Sequence, residues 1–399
     1  MNAAPYEAVE TKPATPARIA RATVLAAATL TVMGPAVIAP SLPAMREAFS
    51  AVAGADVLVR LVLTITSLAI GLSAPLAGMA ADRIGRKPLL VGSLALYAVA
   101  GTAGFFLDSI GALLVSRALV GVAVGGIMTA ISAIITDWFE GPQRAKFLGL
   151  QQASASIGGV VFLPLAGLLA ASNWKLPFWI YGVGAVILPF ALFALRELRR
   201  DKVSGPAGVE AAGSRSGVFA PIAGLYLLAF LVTLAFYMAP TQLPFLLAQL
   251  HIGPALVGAV IAATTLSSVG GALAFPSLRG RWSPSVLTTA SIGLLGIGWM
   301  LVGTAGTVVQ VVAGLLVGGF GVGLAVPNLN LRLSDLAPAA TRGRILSGLV
   351  TAIFLGQFVS PLIIAPLIHA TSINGAFGWT GIAMTVGAGI ALPLLRNTK

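Results

Sequence analysis

Apolar runs the length of a bilayer crossing follow one another along the chain, and polar residues gather in the short gaps between them. A spanning helix needs about 20 mostly apolar residues. Twelve stretches meet that requirement, at roughly 20–42, 57–79, 88–107, 111–136, 147–170, 176–195, 219–249, 253–277, 284–304, 307–331, 345–369 and 376–395. Only a few residues around Asp108 separate the third and fourth, and only Ala305 and Gly306 the ninth and tenth. Links this short make neighbouring helices antiparallel. The pattern predicts an all-α integral membrane protein with twelve transmembrane helices.

Composition agrees. Hydrophobic residues make up 57% of the chain and charged residues 9%, against about 25% charged in a soluble domain. Such a surface suits lipid. Cysteine is absent, which excludes a disulfide framework, a thiolate metal site and a cysteine nucleophile. His251 and His369 lie far apart, each after an apolar run, and read as loop residues because a metal site usually needs three or four ligands. No GxSxG, HExxH or phosphate-loop motif is present, and glycine runs such as Gly121 to Gly126 sit inside a span, where they read as helix packing. The chain is therefore expected to be no enzyme, to hold no cofactor or metal, and to be driven by a gradient.

The formal net charge of +12 raises the question of nucleic acid. Positive residues also orient membrane proteins, being retained in cytoplasmic loops. With a cytoplasmic N-terminus, 20 of the 24 Lys and Arg fall in cytoplasmic segments, leaving only Arg46, Arg60, Arg117 and Lys175 elsewhere. Topology thus absorbs the charge. No nucleic-acid partner is expected, and both termini are expected on the cytoplasmic side of a cell (inner) membrane. Residues 1–18 lack the basic start and short apolar core of a secretory signal, and are read as a disordered tail. Residues 196–218 have linker composition, and 396–399 form a short tail.

The two regions between these segments, 19–195 and 219–395, are repeats. Asp137, Arg144, Lys146 and Leu148 map onto Asp335, Arg342, Arg344 and Leu346 at one offset of 198, close to half the chain. Gly85-Arg86 maps onto Gly280-Arg281 at 195, and Pro164 onto Pro361 at 197. Two six-helix halves of like topology, with substrate bound between them near the midplane, are a secondary-transporter architecture.

One gap carries unusual chemistry. The stretch GMAADRIGRKPLL, Gly78 to Leu90, holds Asp82, Arg83, Arg86 and Lys87 between the second and third spans. Positive-inside topology accounts for basic residues but not for Asp82. Together with its position, this stretch resembles the loop signature of the major facilitator superfamily, G-x-x-x-D-R-x-G-R-[KR], complete here as Gly78, Asp82, Arg83, Gly85, Arg86 and Lys87. Arg117 followed by Gly121, Gly125 and Gly126 in span four is similar to a second family signature. Span five keeps Gly158, Gly159 and Gly167 of the antiporter signature, but Leu163-Pro164 stands where Gly-Pro is expected. The chain is most similar to the twelve-helix drug:proton antiporter (DHA1-like) branch.

The resemblance implies alternating access. It also implies a conformational latch in the outward-facing state, made of Gly78, Asp82, Arg83, Gly85, Arg86, Asp137 and Arg144. Asp82 would face the start of span eleven near Ile345, and Arg86 would pair with Asp137. Arg117 lies at membrane depth, where a charge costs about 2.5–3.5 kcal/mol on insertion scales. It is expected either to line the cavity as an anion or proton-coupling site, or to snorkel to the outer interface. Arg60 is read as an interface anchor that Asp56, one turn earlier, could pair. Polar side chains in spans usually turn inward, so Gln151, Gln152, Tyr226, Tyr237, Gln242, Asn328 and Gln357 are cavity candidates, with Phe162, Phe230, Phe236, Thr241, Asn330, Phe354 and Phe358 beside them. Gly121, Gly125, Gly126, Gly158, Gly159 and Pro164 are read as packing positions. No Asp or Glu falls in the middle of a span.

Export of small amphiphilic molecules (a drug, siderophore or metabolite) with protons as coupling ion is the leading expectation, the transporter acting as a monomer in the bilayer. Uptake of a metabolite or organic anion, or a non-transporting sensor or scaffold, are the alternatives.

Overall fold

A computed structural model describes residues 17–195, 216–338 and 342–396. Most of the expected N-terminal tail and linker, and nearly all of the C-terminal tail, lie outside the described residues. Fourteen α-helices follow one another: α1 (Arg18–Ala36), α2 (Leu42–Ala48), α3 (Ala55–Ile84), α4 (Arg86–Ala103), α5 (Ile110–Trp138), α6 (Gly141–Ser172), α7 (Val183–Ala194), α8 (Ser216–Phe236), α9 (Met238–Gln249), α10 (Pro254–Arg279), α11 (Pro284–Gly303), α12 (Val308–Leu336), α13 (Arg342–Ala370) and α14 (Ile373–Arg396). A 3-10 segment, Leu176–Gly182, leads into α7. The described residues contain no strand.

Two of the twelve expected spans are broken, and proline supplies the cause. Pro40 has no N–H to bond the Ala36 carbonyl, and Pro240 none to bond that of Phe236. α1 ends at Ala36 and α8 ends at Phe236. Spans one and seven, the first of each half, are thus interrupted at equivalent points and continue as α2 and α9. The repeat also shows in α5 and α12, each 29 residues long and starting 198 residues apart.

Among the described residues, ten of the spans are long and apolar enough by themselves to cross a membrane. The other two places, third and twelfth, are filled by α4 and α14. α4 begins with Arg86 and Lys87 and is only 18 residues long, while α14 is a 24-residue apolar helix, Ile373–Arg396. Large apolar side chains including Leu72, Val99, Val186, Phe193, Leu273 and Val309 point outward, forming the surface that lipid covers.

α3, α4 and α5 pack together, as do α10, α11, α12 and α14. The two halves meet mainly through α6 on α10 and α3 on α13. Glycines permit the first of these crossings. A Cβ on Gly258 would lie 2.1 Å from the Leu163 carbonyl oxygen, and one on Gly167 would lie 2.5 Å from that of Pro254. Helix chemistry thus gives the molecule two ends: a basic end carrying Gly85, Asp137, Arg281 and Arg344, and an opposite end carrying Asp56, Asp108 and Lys175.

Candidate functional site

A cavity of about 290 Å³ lies between the two halves. The first half lines it with Thr31, Pro35, Met128, Gln152 and Ser156; the second with Tyr237, Thr264, Ser268, Phe354 and Gln357. No charged residue is among its lining residues. The wall is apolar and aromatic, with scattered hydroxyls and two amides, and can hold a ring while offering hydrogen bonds in several directions. Met128 and Phe354 also line a larger space of about 730 Å³, bounded by Gly71, Gly78, Ser132, Arg344 and Ser347. The central cavity therefore adjoins a cleft at the basic end, between α3, α5 and α13.

The opposite end is closed across the halves. Arg60 Nε donates to Gln242 Oε1 at 3.0 Å, and the guanidinium stacks 4.4 Å from the Phe245 ring. Nearer the cavity, Ser67 Oγ donates to Gln357 Oε1 at 2.8 Å and lies 3.5 Å from the Tyr237 hydroxyl. Lys175 pairs with Asp108 at the same end. Arg60 is thus no interface anchor. It is 7% exposed, because α3 presents it to α9 rather than to lipid.

At the basic end, Gly85 makes the turn between α3 and α4 with a φ of +99°, a conformation that costs glycine little. The turn brings Arg86 Nε to 3.1 Å from Asp137 Oδ2, and Arg86 Nη2 to 3.6 Å from Asp82 Oδ1. All three belong to the first half, so their pairing joins α3, α4 and α5 and cannot by itself tie the halves together. The Asp82 carboxylate is 72% exposed, and Arg83 is exposed too. A Cβ on Gly78 would meet nothing within 4 Å, because Gly78 borders the cleft. Arg144 donates to the Phe139 and Thr136 carbonyls at 2.9 and 3.1 Å, closing the C-terminus of α5.

Arg117 lines neither the cavity nor an interface. It is fully buried within the first half, its guanidinium 4.4 Å from the Tyr181 ring and 5.0 Å from Phe178. It donates to the Gly101 carbonyl at 3.2 Å and to Ser116 Oγ at 3.3 Å. Two aromatic faces and the helix carbonyls around Nη2 stand in for part of the water that the cation loses, while Nε and Nη1 have no hydrogen-bond partner. Tyr226 also leaves the cavity set, donating to the Ile345 carbonyl at 2.6 Å and so tying α8 to α13. Asn328 donates to Thr288 Oγ1 and the Pro284 carbonyl, inside the second half. Gln151 does not line the cavity, and its buried Oε1 has no hydrogen-bond partner. Gln242 lies in the closed end instead. Gln152, Tyr237 and Gln357 do line the cavity.

The packing residues sit at close crossings. A Cβ on Gly121 would lie 2.4 Å from the Thr66 carbonyl oxygen, and one on Gly158 would lie 2.2 Å from that of Thr29. Gly125 and Gly126 face Ser73 and Ser93 as closely, while Gly159 touches both Val32 and Thr265, one from each half. Pro164 lies inside α6 without ending it. The sequence reading missed Thr31, Ser67, Thr264 and Ser268. Thr264 and Ser268 stand one turn apart within the hydroxyl-rich run TTLSS of α10, which was the available signal.

The sequence profile of the Major Facilitator Superfamily matches residues 24–361 and, separately, 225–399. The chain belongs to this superfamily. It is 27% identical over 320 residues to the 3-(3-hydroxy-phenyl)propionate transporter of Escherichia coli (strain K12), covering 78% of this chain and 77% of that one. It is 32% identical over 165 residues to multidrug resistance protein 1 of Bacillus subtilis (strain 168), covering 40% of each. Multidrug relatives of this kind agree with a drug:proton antiporter-like branch. The crystal structure of a D-xylose-proton symporter superposes with a TM-score of 0.80 over 94% of this chain and 96% of that one, at 16% identity, and so shares its fold. The protein is a membrane transporter for small molecules, not an enzyme.

Proposed function

We propose that this transporter exports small uncharged amphiphiles by alternating access, with protons as the counter-flowing ion. The central cavity carries the reading: it is bounded by both halves, holds aromatic and hydroxyl groups, and has no charged residue in its lining. Burying an ion there would leave it without a counter-charge, at a cost of several kcal/mol. A neutral ring-bearing molecule meets no such cost. The excess of Lys and Arg in alternate loops makes the basic end cytoplasmic, so the adjoining cleft is the inward-facing entrance and both termini lie inside the cell.

No carboxylate lines the cavity, so protons would act at the ends of the helices. Asp82 and Asp137 at the basic end, and Asp56 at the opposite end, are the candidate groups. In the outward-facing state α13 would move in over Gly78 and place its N-terminus on Asp82. A helix N-terminus is worth about 0.3–1 kcal/mol to a nearby carboxylate, and protonation would remove that attraction.

The test is flux into inverted vesicles under an imposed pH gradient, over a panel of neutral, cationic and anionic amphiphiles. Gradient-driven accumulation of neutral members, abolished by a protonophore, is the expected result. Accumulation indifferent to the gradient would sink proton antiport.

A second reading is uptake of an aromatic organic anion. The relative transporting 3-(3-hydroxy-phenyl)propionate and the Arg60 guanidinium above the cavity favour it. It expects inward, anion-selective flux in the same panel.

A further inference from the structure

We infer that Arg60, Gln242 and Phe245 form the gate of the opposite end, backed by an inner layer in which Ser67 is held by Gln357 and Tyr237. The inference concerns how this end opens and shuts, and stands whichever direction substrate moves.

Arg60, Thr64 and Ser67 stand at successive turns of α3, along one stripe that faces the second half. Arg60 Nε reaches Gln242 Oε1 at 3.0 Å, and its guanidinium lies 4.4 Å from the Phe245 ring. Arg46 on α2 approaches the same ring at 5.5 Å. Two arginines of the first half therefore hold one aromatic of the second. Both also lean on Asp56, which keeps them in the first half: Arg46 at 3.6 Å, Arg60 at 4.0 Å and through its bond to the Asp56 carbonyl. Among the described residues, Arg46 and Arg60 reach across the halves to an amide and a ring, not to a carboxylate.

That chemistry suits a gate. A buried ion pair would be hard to part, whereas a buried cation on neutral partners regains its hydration when the halves separate. The closed state also carries an uncompensated group, since Gln242 Nε2 is buried with no hydrogen-bond partner. Opening lets water reach both. The gate is thus held shut by contacts of moderate strength and biased toward opening by two desolvated polar groups. Its inner layer uses Tyr237 and Gln357, which line the central cavity, so occupancy of the cavity and closure of this end share residues.

The chain has no cysteine, so spin labels can be placed without removing any. One labelled pair, Ser109→Cys with Thr304→Cys, reads the opposite end; another, Gln143→Cys with Arg281→Cys, reads the basic end. Distances are measured by double electron–electron resonance in nanodiscs, with size exclusion reporting folding. Gln242→Ala is expected to raise the ratio of open to closed at the opposite end by about tenfold, as for loss of a hydrogen bond to a charged group. Gln242→Glu gives Arg60 a carboxylate and is expected to shift the ratio the other way. Ser67→Ala removes one small hydroxyl and is expected to move it in the direction of Gln242→Ala, by less. If the alanine and glutamate variants of Gln242 leave the opposite-end distances as in the unaltered protein, or shift them alike, the gate is overturned. Ser67→Ala without effect would overturn the inner layer.

Discussion

At the scale of single residues, environment decided what each charge does. Arg117 and Arg60 both sit in spans; the first was open to a functional reading, and the second was read as an interface anchor. Arg117 faces two rings and helix carbonyls of its own half, and Arg60 faces the other half. Arg117 therefore packs within its own half, and a contribution to folding is the expectation to test. Arg117→Ala is expected to lower thermal stability in detergent, since losing a desolvated cation–π contact costs about 2 kcal/mol or more and leaves a cavity. Arg117→Met fills the volume without a charge and is expected to recover most of the loss, as buried ions often exchange for apolar residues of similar size. Neither variant is expected to change the order of substrate preference. The sequence separates the two arginines by depth but not by partner. The difference depends on which helix face looks toward which neighbour, and the weakly amphipathic periodicity of a helix buried on several sides does not record that.

At the scale of elements, the helices themselves were legible because their length is imposed by the bilayer. The proline interruptions after Ala36 and Phe236 follow from a missing N–H and could have been placed from Pro40 and Pro240. Close crossings were legible only as glycine-rich runs. Gly121, Gly125 and Gly126 were singled out, whereas Gly258, which lies against α6, was not, because its partner is distant in sequence. Gly258→Val is expected to cost about 1–3 kcal/mol of stability, in line with overpacked sites, and to depress transport, since it wedges α6 and α10 apart where the halves meet. Thermal unfolding and flux on the same preparation check both. The loop between α3 and α4 gives a contrasting prediction. Asp82 is mostly exposed and supports little of the fold in this state. Asp82→Asn is expected to leave unfolding temperature unchanged while slowing transport by up to about fivefold, the equivalent of roughly 1 kcal/mol. An unaltered rate at normal protein level would remove Asp82 from the latch.

At the scale of the whole molecule, two halves enclose a cavity that one end seals and the other end adjoins through a cleft. The repeat at an offset of 198 residues announced the halves, and the loop chemistry announced the family. The cavity wall was only half legible: Gln152, Tyr237 and Gln357 were foreseen, while Tyr226 and Asn328 make contacts elsewhere and Gln151 does not line the cavity. The central claim is that a charge-free wall selects uncharged amphiphiles. Gln152→Glu tests it most directly, because it adds one carboxylate to the cavity and nothing else. Flux of tetraphenylphosphonium, a permanent aromatic cation, is compared with that of a neutral aromatic analogue in vesicles holding either protein. The unaltered protein is expected to move the neutral compound and exclude the cation, and Gln152→Glu to admit the cation. Equal transport of both compounds by the unaltered protein would contradict the account.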